Sequence, residues 1–331
     1  MAIEKSLEGK VAVITGGGRG LGKAVAVALV ERGAKVVIGN TTESQGLATV
    51  EELNNAAGSK VAAFKRTDIT TYKDNIELFQ FAEKEFGGVD IAYLNAGVAG
   101  SATDIIFTPP DGNFFFFIRI LAMHSQTQFN IYSGINFLDE KDSRAVEVNT
   151  IGTMKGTKIA MLHLAKRGGG VIIACSSTLG SNAVPSMSAY VTSKHGLNGW
   201  VRSFSLLPQI CNVRVNAGNN NTTDMLVPTQ DIIDRGGPLL DLVDKIPKTT
   251  SENVVKAVLT LIEDETRNAQ TLLVLPGDVI REQEPTAPLP ETMTPEFIEC
   301  MGQYAGDYIQ FHKKELEEYL PIYEEKYGNK D

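Results

Sequence analysis

The sequence predicts an α/β fold, a single doubly wound Rossmann domain with a mainly parallel sheet covered by helices on both faces. Three observations predict it. Short β-branched runs alternate with stretches of helical period over most of the 331 residues. The first such run stops at a glycine cluster, "TGGGRGLG" (15–22), that opens the next helical stretch. The composition, 43% hydrophobic and 21% charged, is that of an ordinary globular chain able to bury a sizeable core.

Taken in order, "KVAVITG" (10–16) is a β-branched strand ending on glycine, and "LGKAVAVALVERG" (21–33) is a helix closed by Gly33. "AKVVIGN" (34–40) reads as a second buried strand and "SKVAAFKRTD" (59–68) as a third. A helical stretch follows from Tyr72 to Phe86, and "GVDIAYLNAG" (88–97) is a fourth strand entering a turn. Residues 143–167 read as one helix, "GVIIAC" (170–175) as a fifth strand, and 188–207 as another helix. "NVRVNA" (212–217) is a sixth strand, "SENVVKAVLTLIED" (251–264) a helix, and "QTLLVL" (270–275) the last strand.

Two segments break this rhythm. Residues 99–142 make a long connection where a few residues would suffice. After Gly277 a Pro-rich linker, "QEPTAPLPETMTPE" (283–296), leads to a Tyr-rich amphipathic helix that starts at Thr294, Pro295 and Glu296 and reaches Pro321. The expected organisation is a catalytic domain over 1–280 with an irregular insertion, then a linker and helical tail over 281–331. The tail's aromatics are expected to pack on the domain or on a partner subunit.

Acidic residues outnumber basic ones by 40 to 31 with no Lys/Arg cluster, which argues against a nucleic-acid partner. Cys175, Cys211 and Cys300 lie far apart and the four histidines are scattered, so neither a disulfide framework nor a metal site is expected. No signal peptide is visible, and the most apolar run, "FFFFIRILAM" (114–123), is too short to span a bilayer and contains Arg119. A cytoplasmic protein without a membrane span is the expectation.

Glycines in a strand-to-helix turn let the backbone approach a diphosphate, while the helix start offers free N–H groups and its positive end. Here Gly16, Gly20 and Gly22 have the spacing GxxxGxG. Further along, "YVTSK" places Tyr190 and Lys194 one helical turn apart, on one face. Ser177 in "IIACSSTLG" ends the fifth strand, where an open α/β sheet presents its crevice, and Asn149 lies in "VEVNTIGTMKG".

Together these residues resemble the short-chain dehydrogenase/reductase family, whose nucleotide motif is TGxxxGxG. The resemblance covers about residues 8–98 and 143–277. It implies a nicotinamide dinucleotide held by Gly16, Gly18, Arg19, Gly20, Leu21 and Gly22, and by Asp68 with Ile69 at the adenine. Asn95, Ala96 and Gly97 match the family's NAG motif beside the cofactor. "VVIGNTTES" puts Gly39, Asn40 and Thr41 where an NAD-selecting aspartate would fall, and Arg19 could pair with a 2′-phosphate. NADP is therefore expected, with NAD possible.

The resemblance also assigns roles. Hydride transfer to or from a secondary alcohol needs a proton exchanged at the same oxygen, and Tyr190 would be the acid/base. An isolated phenol titrates at about 10, and a neighbouring ammonium or oxidised nicotinamide favours its phenolate. Lys194 would supply that charge and hold the nicotinamide ribose. Ser177 would orient the substrate oxygen, and Asn149 would hold a water relaying protons from the lysine. Ser176 and Thr178 read as strand-end hydrogen-bonders, His195 as a packing residue, and His163 as a helix-surface or interface residue. A homodimer or homotetramer is implied, paired through the helices at 143–167 and 188–207.

The chain departs from the family pattern twice. "VRVNAGNNNTTDML" lacks the Pro-Gly pair after the sixth strand, so Thr223 or Thr222 takes the threonine position that meets the carboxamide. The 99–142 insertion reads either as a lid over a greasy substrate or as retained intron text. "YVTSKHGLNGWVRS" and "VLTLIEDETRN" are similar to the branch of 15-hydroxyprostaglandin dehydrogenase and fungal secondary-metabolite dehydrogenases, which implies an apolar lipid- or polyketide-like alcohol or ketone. The alternative readings are a nucleotide-binding protein without hydride transfer and a non-redox enzyme on the same scaffold.

Overall fold

A computed structural model describes residues 6–99, 143–184, 187–220, 245, 247–285 and 287–328. Strand β1 (Val11–Thr15) is buried at all five positions, as a strand covered on both faces must be. Its side chains alternate between two cores: Ala12 and Ile14 join one apolar cluster, Val13 the other. Helix α1 (Gly20–Glu31) leads to β2 (Lys35–Asn40), α2 (Glu43–Ala57) to β3 (Ala62–Arg66), and α3 (Tyr72–Phe86) to β4 (Ile91–Leu94). Because β1 pairs with β2 on one side and β4 on the other, the strand order reverses there. The carboxyl ends of β1 and β4 therefore flank the crevice where such sheets bind ligands.

The second half begins with a π-helical turn (Val146–Gly152) that runs into α4 (Thr153–Arg167). Then come β5 (Gly170–Ser177), α5 (Ser188–Arg202), a short α6 (Leu207–Cys211) and β6 (Val213–Asn220). Helix α7 (Ser251–Glu263), β7 (Thr271–Leu275), β8 (Val279–Glu282) and α8 (Pro295–Tyr327) complete the chain. The eight strands form one sheet in the order β3-β2-β1-β4-β5-β6-β7-β8, parallel except for β8, which returns antiparallel on β7. Helices α1 and α7 bury one face, α3, α4 and α5 the other.

Several elements differ from expectation. Helix α2, with few buried residues, carried too weak an apolar pattern to be seen. The stretch 143–167 is continuous, but its first part is wound as a π-helix. The helix at 188 stops at Arg202, and a separate turn headed by Pro208 follows. Strand β6 extends to Asn220, registered against Ser177. The four-residue edge strand β8 has no buried position and so no sequence signature. Helix α8 passes through Pro321, which costs it one main-chain hydrogen bond. Beyond that point Tyr323 bonds His163 and Glu324 bonds Lys166, holding the helix on the body. His163 is accordingly buried, not at the surface, and His195 is exposed on α5 instead of packed.

All three cysteines are free thiols, and among the described residues no cluster of metal ligands occurs. No described helix is long and apolar enough to cross a membrane. The 99–142 insertion lies, from residue 100 on, outside the described residues, as do Thr222 and Thr223.

Candidate active site

The turn from β1 to α1 is shaped by two glycines with left-handed backbone, Gly16 at φ 69° and Gly20 at φ 54°. A Cβ at Gly22 would stand 2.3 Å from the Gly16 carbonyl oxygen, so only glycine lets α1 start this close to the strand. A Cβ at Gly16 would meet Ala96 Cα at 2.9 Å. The 95–97 segment is sewn to the same turn. The Asn95 amide nitrogen donates to the carbonyls of Thr15 and Gly16, each at 3.2 Å, and the main-chain N–H groups of Asn95 and Ala96 donate to Thr15 Oγ1.

Helix α1 starts without a side-chain cap and without an acidic residue in its first turn. Its first N–H groups and positive end are thus available to an anion. They face a cavity of about 460 Å3 lined by Gly16, Arg19, Gly20 and Leu21 from the turn, Asn40 from β2, and Asp68 and Ile69 after β3. Asn95, Ala96, Gly97 and Val98 line it as well. Asp68 accepts from the Thr70 main chain at 2.9 Å and the Thr70 hydroxyl at 2.7 Å. Burial pushes its carboxyl up, but those bonds and the charges of Arg144 and Arg66 outweigh it and hold it below the usual carboxylate range. Arg19 is exposed at the rim and makes no ion pair among the described residues.

Beside Gly97, Asn149 and Lys194 converge. A Cβ on Gly97 would sit 3.0 Å from Asn149 Oδ1 and 3.8 Å from Lys194 Nζ. Asn149, in the π-helical turn, is buried. Its Oδ1 accepts from Val98 N at 2.8 Å, and its Nδ2 donates to Val98 O at 2.8 Å and Ser193 Oγ at 3.0 Å. Both amide protons are committed, so the side chain has one lone pair left for a water. Lys194 is 2% exposed, and its ammonium donates to the Cys175 carbonyl at 2.8 Å, leaving two N–H bonds for a ligand. The same ammonium lies 5.6 Å from the Tyr190 ring centroid. Ser177, at the end of β5, accepts from Leu179 N at 3.2 Å and keeps its own proton to donate.

The cavity thus brings together ten of the sequence-derived positions, and the Gly97 corner adds Asn149 and Lys194. Gly18 and Gly22 do not line it: Gly18 backs onto Asn40 and α2, whose Thr49 hydroxyl donates to its carbonyl, and Gly22 packs behind Gly16. Sequence reasoning missed Arg144, Thr42, Gln45, Thr249 and Ser251, which also line the cavity. Thr42 and Gln45 directly follow Asn40 and could have been found by extending that turn. Arg144, Thr249 and Ser251 come from distant segments and had no local signal. Ser176 is a strand-end hydrogen-bonder, as expected, donating to the Lys194 carbonyl at 3.3 Å.

The family model described as short chain dehydrogenase matches residues 10–115 and 132–229. An uncharacterized oxidoreductase of Thermotoga maritima is 33% identical over 66% of this chain and 73% of its own. The mitochondrial (-)-isopiperitenol/(-)-carveol dehydrogenase of Mentha piperita is 28% identical over 80% of this chain and 91% of that protein. A hydroxynaphthalene reductase-like protein of Metarhizium guizhouense is 31% identical over 64% and 68%. Among solved structures, the 3-ketoacyl-(acyl-carrier-protein) reductase of Brucella melitensis complexed with NADH superposes with a TM-score of 0.63 at 22% identity, covering 82% of this chain and 99% of that one.

Proposed function

The chain belongs to the short-chain dehydrogenase family, and on that premise we propose which cofactor it takes, which residues act and what it turns over. It is an NAD(P)-dependent oxidoreductase of the alcohol dehydrogenase and ketoreductase kind. The observation that carries the finer reading is the convergence of Gly97, Asn149 and Lys194 at the glycine-lined cavity.

The cofactor of this reading is NADP. It is supported by the carboxylate-free end of β2, where Asn40, Thr41 and Thr42 line the cavity together with Arg19. The α1 N-terminus would take the diphosphate, and Asp68 with Ile69 the adenine. Asn95, Ala96 and Gly97 would form the floor, and Thr223 would meet the carboxamide. The close fit of glycines against the 95–97 segment leaves the cradle open to such a ligand. When bound, the nicotinamide supplies the site that accepts or gives hydride.

The residues do the rest. Ser177 donates its free proton to the substrate oxygen and fixes its direction. Tyr190 takes the alcohol proton, or returns it to the ketone oxygen. The Lys194 ammonium stabilises negative charge on the phenol oxygen while that proton moves, and its two free N–H bonds hold the ribose. Asn149 keeps the 97–98 segment against this corner and offers its remaining lone pair to the relay water.

The substrate of this reading is an apolar secondary alcohol or ketone, lipid- or polyketide-like. It is supported by the apolar run at 114–123 and by relatives named for carveol and hydroxynaphthalene. A cytoplasmic homodimer or homotetramer, with the catalytic domain over 1–280, completes the proposal. The test is to titrate the purified protein with NADPH and NADH, then follow the nicotinamide absorbance with a panel of apolar ketones. Turnover faster with NADPH is expected. Tighter binding of NADH would overturn the cofactor choice, and activity confined to small polar ketones would overturn the substrate class.

A further inference from the structure

Helix α5 buries a second polar residue beyond those of the proposed chemistry. Asn198 lies one helical turn past Lys194 and two past Tyr190, on the same buried face, and is 2% exposed. Its Nδ2 donates to the Gly180 carbonyl at 2.9 Å and reaches Ser181 Oγ at 3.5 Å. From β6, the fully buried Asn219 donates to the same Ser181 oxygen at 3.2 Å and to Gln283 Oε1 at 3.4 Å. Gly180 and Ser181 close the short turn that starts at Ser177. A Cβ at Gly180 would stand 2.9 Å from the Lys194 carbonyl and from Ser176 Oγ, so turn and helix are in close contact.

Among the described residues, both asparagine side-chain oxygens, Asn198 Oδ1 and Asn219 Oδ1, are buried without a partner. Leucine would fill either place without leaving a dry carbonyl, so volume alone does not account for the carboxamides. What they do supply is N–H donors, and both aim at one turn.

We infer that Asn198, with Asn219 and Ser181, is a positioning residue that clamps the Ser177 turn onto the helix carrying Tyr190 and Lys194. Substrate-orienting hydroxyl and proton-transferring phenol then belong to one rigid unit, although they come from different elements. The inference rests on the oxidoreductase reading above. Asn198 itself touches no reacting atom. A misplacement of about 1 Å between reacting groups can cost on the order of 100-fold in rate, which is the scale on which the clamp acts.

The test compares wild type with Asn198→Leu in full-length protein. One readout is steady-state kinetics with NADPH and the best ketone. The other, without substrate, is amide hydrogen exchange at Leu179, Ser181 and Asn182, whose N–H groups bond Ser177 Oγ and the Thr178 carbonyl. The expected result is a kcat lowered about 10- to 100-fold, nucleotide affinity within about twofold, and exchange at those amides about tenfold faster or more. A kcat within about twofold of wild type, or unchanged exchange, overturns the clamp. Should the leucine variant not fold, Ser181→Ala removes the hydroxyl on which both amides converge. It is expected to lower kcat about 3- to 10-fold, and a wild-type kcat there overturns the clamp. A wild type that binds nucleotide but turns over no substrate overturns the oxidoreductase reading, and the clamp with it.

Discussion

Of the 15 residues in α5, six are buried: Tyr190, Ser193, Lys194, Leu197, Asn198 and Val201. Helix α8 is more than twice as long, at 33 residues, and buries none. The first is fixed from several sides, by apolar packing and by polar bonds to β5, to the turn after it, and to the π-helical turn. The second lies against α6 and sets Tyr323 on the apolar core, and among the described residues its polar bonds to the body gather at one junction. His163 Nδ1 lies 2.8 Å from Glu83 and Nε2 3.0 Å from the Tyr323 hydroxyl, while Lys166 bridges Glu83 at 3.3 Å and Glu324 at 2.6 Å. The contrast teaches where precision is needed: proton transfer tolerates little error in a side chain's place, and only the over-determined helix carries the groups that would perform it.

The largest effect should come from the rigid side. Tyr190→Phe leaves the packing of α5 intact, so nucleotide affinity measured by fluorescence titration should hold while kcat drops about 10²- to 10⁴-fold. Comparable turnover by both proteins would remove the phenol from the chemistry and with it the reason for the contrast. Next comes Gly180→Ala, which forces a Cβ against the Lys194 carbonyl and should lower stability by about 1–3 kcal/mol in chemical denaturation. A neutral result would show that α5 has slack that the distances deny.

The junction under α8 should instead respond to pH. Burial pushes the Glu83 carboxyl up, but the hydrogen bond and charge of His163, with Lys166, outweigh it and hold it below the ordinary 4.5. A group depressed on folding stabilises above its unfolded value and loses that contribution as pH falls through the folded one. For Lys166, burial lowers the value while the bond to Glu324 and the charges of Glu83 and Glu324 raise it above the ordinary 10.5. Its contribution is complete below that value and fades as pH rises through the folded one. Limited proteolysis should therefore cut α8 sooner as pH falls below about 4.5, while near-UV signals from the sheet region persist. Simultaneous loss of both would mean that the two regions melt as one. Smallest of all, Phe311→Ala, at a side chain 60% exposed on α8, should shift stability by no more than about 0.5 kcal/mol. A larger loss would reveal packing on that face that the monomer lacks.

The same contrast explains what could be read in advance. The glycine loop, the 95–97 turn and the Tyr190–Lys194 pair are local patterns whose spacing carries their meaning, and α3 runs from Tyr72 to Phe86 as its periodicity says. Long-range facts were not legible. Nothing near His163 in the chain announces Glu83 or Tyr323, which lie 80 and 160 residues away. Asn198 and Asn219 look like polar surface residues until β6 and the Ser177 turn are folded around them. Strand β8 exists only because β7 offers an edge, and Arg144 meets Asp68 only when the sheet has reversed direction.

The π-helical turn at Val146–Gly152 has a consequence for how this site could evolve. Such a turn amounts to one surplus residue in an α-helix, and each α-helical residue rotates the chain by roughly 100°. Deleting a single amino acid upstream of Asn149 in that stretch would restore regular winding and swing its carboxamide off Val98, while every strand stayed in register. The corner beside Lys194 can thus be re-aimed by a change in chain length of one, a mutational step to which the sheet itself is blind.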